Sequence, residues 1–232
     1  ARQMPSHFSM RHANIVSHSA PVATQSPHAS GIGLAIKMDG SDAVVLTTIG
    51  EGATSQGEWY EAVNVAAIHK LPVVFLVENN QYAISVPQNK QMAVASAADK
   101  ACGLGLPGIE IDGTRVYEVY EAVKEGVENA RKGEGPSVIE AKMYRLTPHS
   151  SDDDDRSYRT REEVEEHKKQ DPITLTKQHL MDEEIMTEEE IEEMEEKAKA
   201  EVDEAVAAAR EAPYPKGEDA AKPVYAQEVN NG

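Results

Sequence analysis

One cysteine, Cys102, stands in a chain of 232 residues. That excludes an internal disulfide framework and a cysteine-rich zinc site, and it fits a reducing cytoplasm. Basic residues are scarce too: 23 lysines and arginines against 41 aspartates and glutamates leave a net charge of -18. Such a balance repels phosphate backbones and anionic membrane surfaces, so neither nucleic acid nor membrane is expected as a partner. No apolar stretch nears the roughly 18 uninterrupted residues of a membrane span, and the basic-then-apolar order of a signal peptide is missing. There is no initiating methionine, no internal repeat and no sustained heptad. The opening ARQMPSHFSMRHANIVSHSAP holds His7, His12 and His18 in a polar setting without helix or strand pattern. It reads as a tail laid on a partner, or as the cut end of something longer.

What is present is punctuated like an α/β domain. From Pro21 to Met38 the small residues Ala29, Gly33 and Ala35 recur at helical spacings with Ile32 and Ile36, which permits close packing on a neighbouring helix. MDGSD then reads as a turn around Gly40. AVVLTTI (43–49) and PVVFLVE (72–78) are short, β-branched apolar runs, with a helix expected between about Gln56 and His69. Strand, crossover helix and strand make a parallel βαβ unit. GIEIDG, VYEVYEAVKEGVENARKG and PSVIEAKMY repeat that order more weakly. TPHSSDDDDRSYR follows, and its four like charges, Asp152 to Asp155, predict a solvated loop ordered by a ligand or partner. The remainder is acidic and helical: Thr187 and Glu190 form a capping box, and Ile191, Met194, Ala198, Val202, Ala205 and Ala209 trace a thin apolar stripe expected to pack. Pro213 ends that helix, and an extended tail follows.

The stretch GEG (50–52) falls where open α/β sheets keep their ligand crevices, at the carboxyl end of a parallel strand. Gly50 and Gly52 let the backbone turn tightly and approach a ligand, and a helix start beyond them offers amides to an anion. Glu51 alone would repel a phosphate, whereas a magnesium ion bridges carboxylates to phosphates through hard oxygens. The next strand ends in Glu78, Asn79 and Asn80, which adds oxygen donors at the same sheet edge. On composition and periodicity alone, a metal site and a plain polar turn stay equally open.

The spacing of GEG and NN resembles the thiamine diphosphate motif, with glutamate in place of the usual aspartate. The resemblance extends through HANIVSHSAPVATQ, GEGATSQGEWYEAVNVAAIHKLPVVFLVENNQYAISVP, RKGEGPSVIEAKMYRLTPHSSDDDDRSYR and the late APYP. Together these are similar to the α subunit of two-subunit 2-oxo acid dehydrogenase E1 components, the branched-chain type foremost and the pyruvate type next.

The resemblance implies an α/β thiamine diphosphate-binding fold, its mainly parallel sheet flanked by helices, with a helical C-terminal extension. The expected division is an amino-terminally incomplete domain over 1–160, including an active-site loop at 145–160, and an acidic extension over 161–232. It implies a magnesium ion held by Glu51, the side chain of Asn80 and the backbone carbonyl of Tyr82. Gly52 and Ala53 would contact the diphosphate, the backbone near Val22 the aminopyrimidine, and His149, the catalytic residue, the reacting centre and the diphosphate. Ser19, Pro21, Thr24 and Gln25 match a potassium site of some branched-chain members, although Ala20 stands where many relatives carry a second serine. Ser150 and Ser157 match phosphorylated positions, and Arg145, Tyr158 and Arg159 belong to the same loop. The implied partners are a β subunit in an α2β2 heterotetramer, which supplies the acid that activates the cofactor, a missing amino-terminal segment, and a lipoyl-bearing E2 component. The implied reaction is oxidative decarboxylation of branched-chain 2-oxo acids with reductive acylation of lipoyl-E2, in the cytoplasm. A pyruvate or acetoin dehydrogenase α subunit and an inactive assembly fragment stay open.

Overall fold

The computed structural model describes residues 7–17 and 20–221, with side chains placed through 219. His18, Ser19 and the last stretch of the expected tail lie outside the described residues. Residues 18–178 form one compact unit, and a second gathers residues up to 17 with those from 179 onward.

In chain order the elements of the larger unit begin with α1 (Gln25–Asp39), β1 (Val45–Gly50), α2 (Gly57–His69) and β2 (Val73–Asn79). A two-residue hairpin of β3 (Tyr82–Ala83) and β4 (Val86–Pro87) follows, then the short α3 (Gln88–Gln91) and α4 (Ala97–Cys102). The second βαβ unit is β5 (Gly108–Asp112), α5 (Val116–Arg131) and β6 (Ser137–Lys142), and beyond the charged loop come α6 (Arg161–Lys168) and α7 (Pro172–Asp182). The main sheet has the order β1-β2-β6-β5, and every pairing in it is parallel. The expected mainly parallel α/β sheet is therefore what the chain forms.

Burial follows strand position. Both faces of the inner strands are covered, so Val73, Val74, Phe75 and Val77 of β2 and Val138, Ile139 and Ala141 of β6 are all buried. Fully burying a side chain of that size contributes about 1.5–3 kcal/mol. The outer strand β1 alternates instead, with Thr47 and Ile49 inward and Leu46, Thr48 and Gly50 exposed. Register matters more for function: Gly50 pairs with Glu78, and Asn79 pairs with Lys142. Three neighbouring strands thus end level, and the residues just past β1 and β2 emerge side by side.

Helix α1 uses its small residues as expected. The Ser30 hydroxyl donates to the Ala62 carbonyl of α2 at 2.9 Å, and a Cβ added to Gly33 would fall 2.7 Å from a Val73 methyl. Helix α2 buries Trp59, Ala62, Val63 and Ala66. Its end at Lys70 is a left-handed cap, with φ of 46°.

In the second unit α8 (Glu188–Glu211) opens with the expected capping box, Thr187 and Glu190 each accepting from the other's backbone N–H. The expected packing of its apolar stripe is not what the structure shows. Ile191 is buried, but Met194 and Val202 are more than half exposed. The cap, an acidic first turn against the helix dipole and a Lys199–Asp203 pair support the helix locally.

Two glycines set opposite expectations. A Cβ on Gly108 would sit 2.0 Å from the Ala98 carbonyl oxygen, whereas one on Gly31, within α1, meets nothing within 4 Å. Gly108→Ala should cost about 1–3 kcal/mol by overpacking, and Gly31→Ala should gain up to about 1 kcal/mol of helix propensity. Thermal melts of the two variants check this; equal melts would mean that α4 is not seated against β5.

Candidate active site

Glu51 is the first residue of a 3-10 turn, Glu51–Ser55, that carries the chain from β1 towards α2. Its side chain is only 1% exposed. One carboxylate oxygen, Oε2, accepts the Asn80 backbone N–H at 3.3 Å. The other, Oε1, is buried with no hydrogen-bond partner among the described residues. Burial pushes the Glu51 carboxyl above the usual glutamate range, against the downward pull of backbone N–H groups and the more distant Arg145 charge. The structure therefore holds a carboxylate in need of a positive partner.

The turn around it is braced from two sides. Lys100 donates to the Thr54 hydroxyl at 2.7 Å and its carbonyl at 3.2 Å, and Thr54 in turn donates to the Glu51 carbonyl at 2.6 Å. Gln91 reaches the Gly52 carbonyl at 3.3 Å. A Cβ on Gly52 would come within 2.6 Å of the Ala83 Cβ in β3. Glycine is thus the residue that lets this turn lie against the hairpin. Ala53 is buried beside it.

The second wall is the turn that leaves β2. The Asn79 side chain is fully buried and its Oδ1 accepts the Gln81 N–H at 3.0 Å. The Asn80 Oδ1 accepts the Tyr82 N–H at 3.2 Å. Gln81 takes a φ of 75°, a region uncommon for residues with a side chain. These two side-chain-to-backbone bonds offer that strained residue compensation and aim the turn at Glu51. The Tyr82 carbonyl accepts Arg145 Nη1 at 3.2 Å and keeps a second lone pair.

Glu51 Oε1, Asn80 Oδ1 and the Tyr82 carbonyl are hard, neutral or anionic oxygens on adjoining turns, the donor chemistry of magnesium. The unpartnered, buried Oε1 is the observation that makes the set fit such an ion. The Tyr82 ring is anchored separately: its hydroxyl and that of Tyr144 both donate to Glu163, at 2.7 and 2.9 Å. Burial, then Glu163, raises the Tyr82 hydroxyl above its usual range. A cavity of about 690 Å³ opens beside this cluster, lined by Gln81, Tyr82, Gln88, Tyr144, Glu163 and His167 among others. Glu51, Gly52 and Asn80 do not line it, but Gln81 and Tyr82 do, so it adjoins the site built by the strand ends.

Helix α1 meets β1 near the same edge. Gln25 Nε2 donates to the Thr48 carbonyl at 3.1 Å, and the Thr24 hydroxyl donates to the Pro21 carbonyl at 2.9 Å. Val22 is 58% exposed just ahead of the helix. Ser19 lies outside the described residues, so the expected potassium ligands are described only for Pro21, Thr24 and Gln25.

The charged loop differs from expectation. Three of its four aspartates have partners: Asp155 is buried against Arg159, 2.7 Å away, Asp154 pairs with Arg156 at 2.6 Å, and Asp153 accepts the His149 backbone N–H at 2.9 Å and the Tyr158 hydroxyl, while Asp152 is exposed. Arg159 also donates to the Arg145 carbonyl and to that of Thr147 at 3.0 Å. Opposite charges four residues apart, as in Asp155 and Arg159, are a readable helical signal. His149 and Ser150 stay exposed at the loop tip, and so does Ser157. Arg145 joins loop and site, since its backbone N–H donates to the Asn80 carbonyl at 3.3 Å. Lys100, Gln91 and Glu163 carried no motif, and only the folded chain brings them in.

The fold and these turns define an α/β protein with an oxygen-lined ligand site beyond the carboxyl ends of parallel strands. Comparison with known proteins narrows the class: the dehydrogenase E1 component family matches residues 1–218, and the chain belongs to it. It is 50% identical over 226 residues to the 2-oxoisovalerate dehydrogenase subunit alpha of Bacillus subtilis (strain 168), covering 97% of this chain and 68% of that protein. It is 44% identical over 164 residues to the 3-methyl-2-oxobutanoate dehydrogenase subunit alpha of Mycobacterium tuberculosis (strain ATCC 25618 / H37Rv), covering 71% and 45%. The pyruvate dehydrogenase E1 component subunit alpha of Staphylococcus aureus (strain Mu50 / ATCC 700699) is 40% identical over 194 residues, covering 83% and 52%. The chain spans two thirds of the first relative and about half of the others. No helix among the described residues is long and apolar enough to cross a membrane.

Two outcomes follow from the electrostatics. Because the folded-state pKa of Glu51 is raised, its contribution to stability is full below the usual value of 4.5 and is lost as pH rises through the folded value. Metal-free Glu51→Gln should therefore melt higher than the parent at pH 8, with the gap closing as pH falls towards 4; a pH-independent gap would contradict the assignment. Arg159→Ala strips buried Asp155 of its nearer partner, leaving Arg161 at 3.5 Å, and should cost up to about 3–5 kcal/mol. Faster proteolysis between residues 145 and 160 would accompany it, and an unchanged melt and cleavage pattern would refute it.

Proposed function

We propose that this chain is the α subunit of a thiamine diphosphate-dependent E1 component that decarboxylates branched-chain 2-oxo acids and acylates the lipoyl group of a partner E2. The observation that carries the reading is the buried Glu51 oxygen without a partner among the described residues, on a turn adjoining the one that carries Asn80 Oδ1 and the Tyr82 carbonyl. Those three oxygens would hold magnesium, and the magnesium would hold the diphosphate. The backbone at Gly52 and Ala53 would line the diphosphate, and that near Val22 the aminopyrimidine. When bound, the cofactor supplies the nucleophilic carbon and electron sink that loss of CO2 from a 2-oxo acid needs.

The chain's own groups then have separate tasks. Glu51 offsets the charge of the cation where water cannot, and the braced turns keep its oxygens in place before the ion arrives. His149, on a loop tied to the site through Arg145, would donate a proton or hydrogen bond to the substrate's keto oxygen and to the diphosphate. Its exposure leaves room for a second wall, which a β subunit in an α2β2 assembly would provide together with the activating acid. Pro21, Thr24 and Gln25, with Ser19, would hold potassium. Ser150 and Ser157 are accessible to a kinase, and a phosphate on either would repel the neighbouring aspartates. The branched-chain assignment rests on the higher identity to the 2-oxoisovalerate relative than to the pyruvate one.

The test uses the chain assembled with its β subunit. Glu51→Ala and Asn80→Ala should weaken thiamine diphosphate and magnesium binding in calorimetry by at least about 10-fold. Unchanged binding would sink the ligand assignment. On the parent assembly, kcat/KM for 2-oxoisovalerate should exceed that for pyruvate by about 10- to 200-fold, the worth of methylene groups in an apolar pocket. The reverse order would assign the chain to pyruvate.

A further inference from the structure

Glu140 lies in the middle of β6, a strand whose other central residues are apolar, and its side chain is fully buried. Its Oε1 accepts Asn79 Nδ2 at 2.6 Å. Its Oε2 accepts the Ser96 hydroxyl and, at 3.2 Å, the Ala98 N–H. No arginine or lysine pairs with it among the described residues. A buried carboxylate costs several kcal/mol unless donors surround it, and here three donors do.

What it does is visible one bond further on. A carboxylate only accepts hydrogen bonds, so it fixes which way the Asn79 amide points. The amide N–H groups go to Glu140 and to Gln88 Oε1, the latter at 2.9 Å, which leaves Oδ1 facing the Gln81 N–H. An inverted amide would set its oxygen against the carboxylate. The fixed Oδ1 holds Gln81 in its positive φ, and that turn presents the Asn80 side chain and the Tyr82 carbonyl. We infer that Glu140 is a positioning residue for the metal site: through Asn79 it sets the turn of residues 79 to 82 in the one geometry that offers both oxygens beside Glu51. This rests on the cofactor reading above. The competing role is purely structural, in which Glu140 ties α4 to the sheet through Ser96 and Ala98.

Ser96 separates the two roles, because it touches Glu140 but not the turn. The assembled enzyme, saturated with thiamine diphosphate, is titrated with Mn2+ and free Mn2+ is read by electron paramagnetic resonance. Glu140→Gln, which keeps the shape but lets the side-chain amide donate, should bind Mn2+ about 10- to 100-fold more weakly, while Ser96→Ala stays within about threefold of the parent. Both should melt lower. Parent-like Mn2+ affinity in Glu140→Gln, or equal weakening in Ser96→Ala, overturns the inference. Should Glu140→Gln fail to assemble, Asn79→Ala carries the same expectation, and parent-like affinity there overturns it equally. A parent enzyme that takes up no Mn2+, or a Glu51→Ala variant that binds it normally, removes the cofactor reading itself and this inference with it.

Discussion

A carboxylate at the end of β1 has been taken out of water and given the Asn80 backbone N–H in return. Desolvation of that charge is the unfavourable term around which the neighbouring structure is arranged. The level ends of β1 and β2 bring the Asn80 N–H to it, Lys100 and Gln91 hold the turn that carries it, and Gly52 clears space for the hairpin to close over it. None of these contacts neutralises the charge. A divalent cation would do so at once, and by binding only the folded chain it would also stabilise the fold. Stability and cofactor capture are in that sense one equilibrium.

The parallel sheet was legible because its cause is local. AVVLTTI and PVVFLVE are β-branched runs of strand length, and a helix-length segment joins them, so little else could form there. Glu51 and Asn80 were legible as a pair for the same reason, each following a readable strand. Register could not be read, since inner strands buried on both faces carry no alternation to fix it. The β3–β4 hairpin escaped notice because its strands are two residues long and its special dihedrals fall on Gln81 and Ile84 rather than on glycine. The run of aspartates shows its repulsion in the sequence, but not that the fold sets Arg159 and Tyr158 against it. The stripe on α8 misled in the opposite direction: apolar spacing marks a face, not a partner for it. Glu140 offered a fair warning, an acid set within the apolar run SVIEAK, that passed unread.

Arg145 gives the site its second level of organisation. Its guanidinium holds the Tyr82 and Ile84 carbonyls and the Tyr158 hydroxyl, while Arg159 closes on the Arg145 carbonyl from the far end of the loop. The residues that would carry the metal and the loop that carries His149 therefore share a single side chain. A shift of the Tyr82 carbonyl towards a cation would weaken its bond from Arg145, which also holds Tyr158 in the loop. Coupling of this kind requires no long pathway, since the two elements are already hydrogen-bonded neighbours.

One plainer feature bears on how the chain behaves in a tube. On its side away from β2, strand β1 is an outer strand of the main sheet, and its sequence VLTTIG has neither a charge nor a proline to discourage pairing. Gln25 covers the Thr48 carbonyl, which shields one rung of the ladder. The rest is a template for strand addition, and Leu46 beside it is exposed. A net charge of -18 keeps such molecules apart in dilute, low-salt solution, but screening shortens that repulsion to about 8 Å at physiological ionic strength. Added salt therefore brings such edges within reach of one another in a concentrated sample of the chain alone.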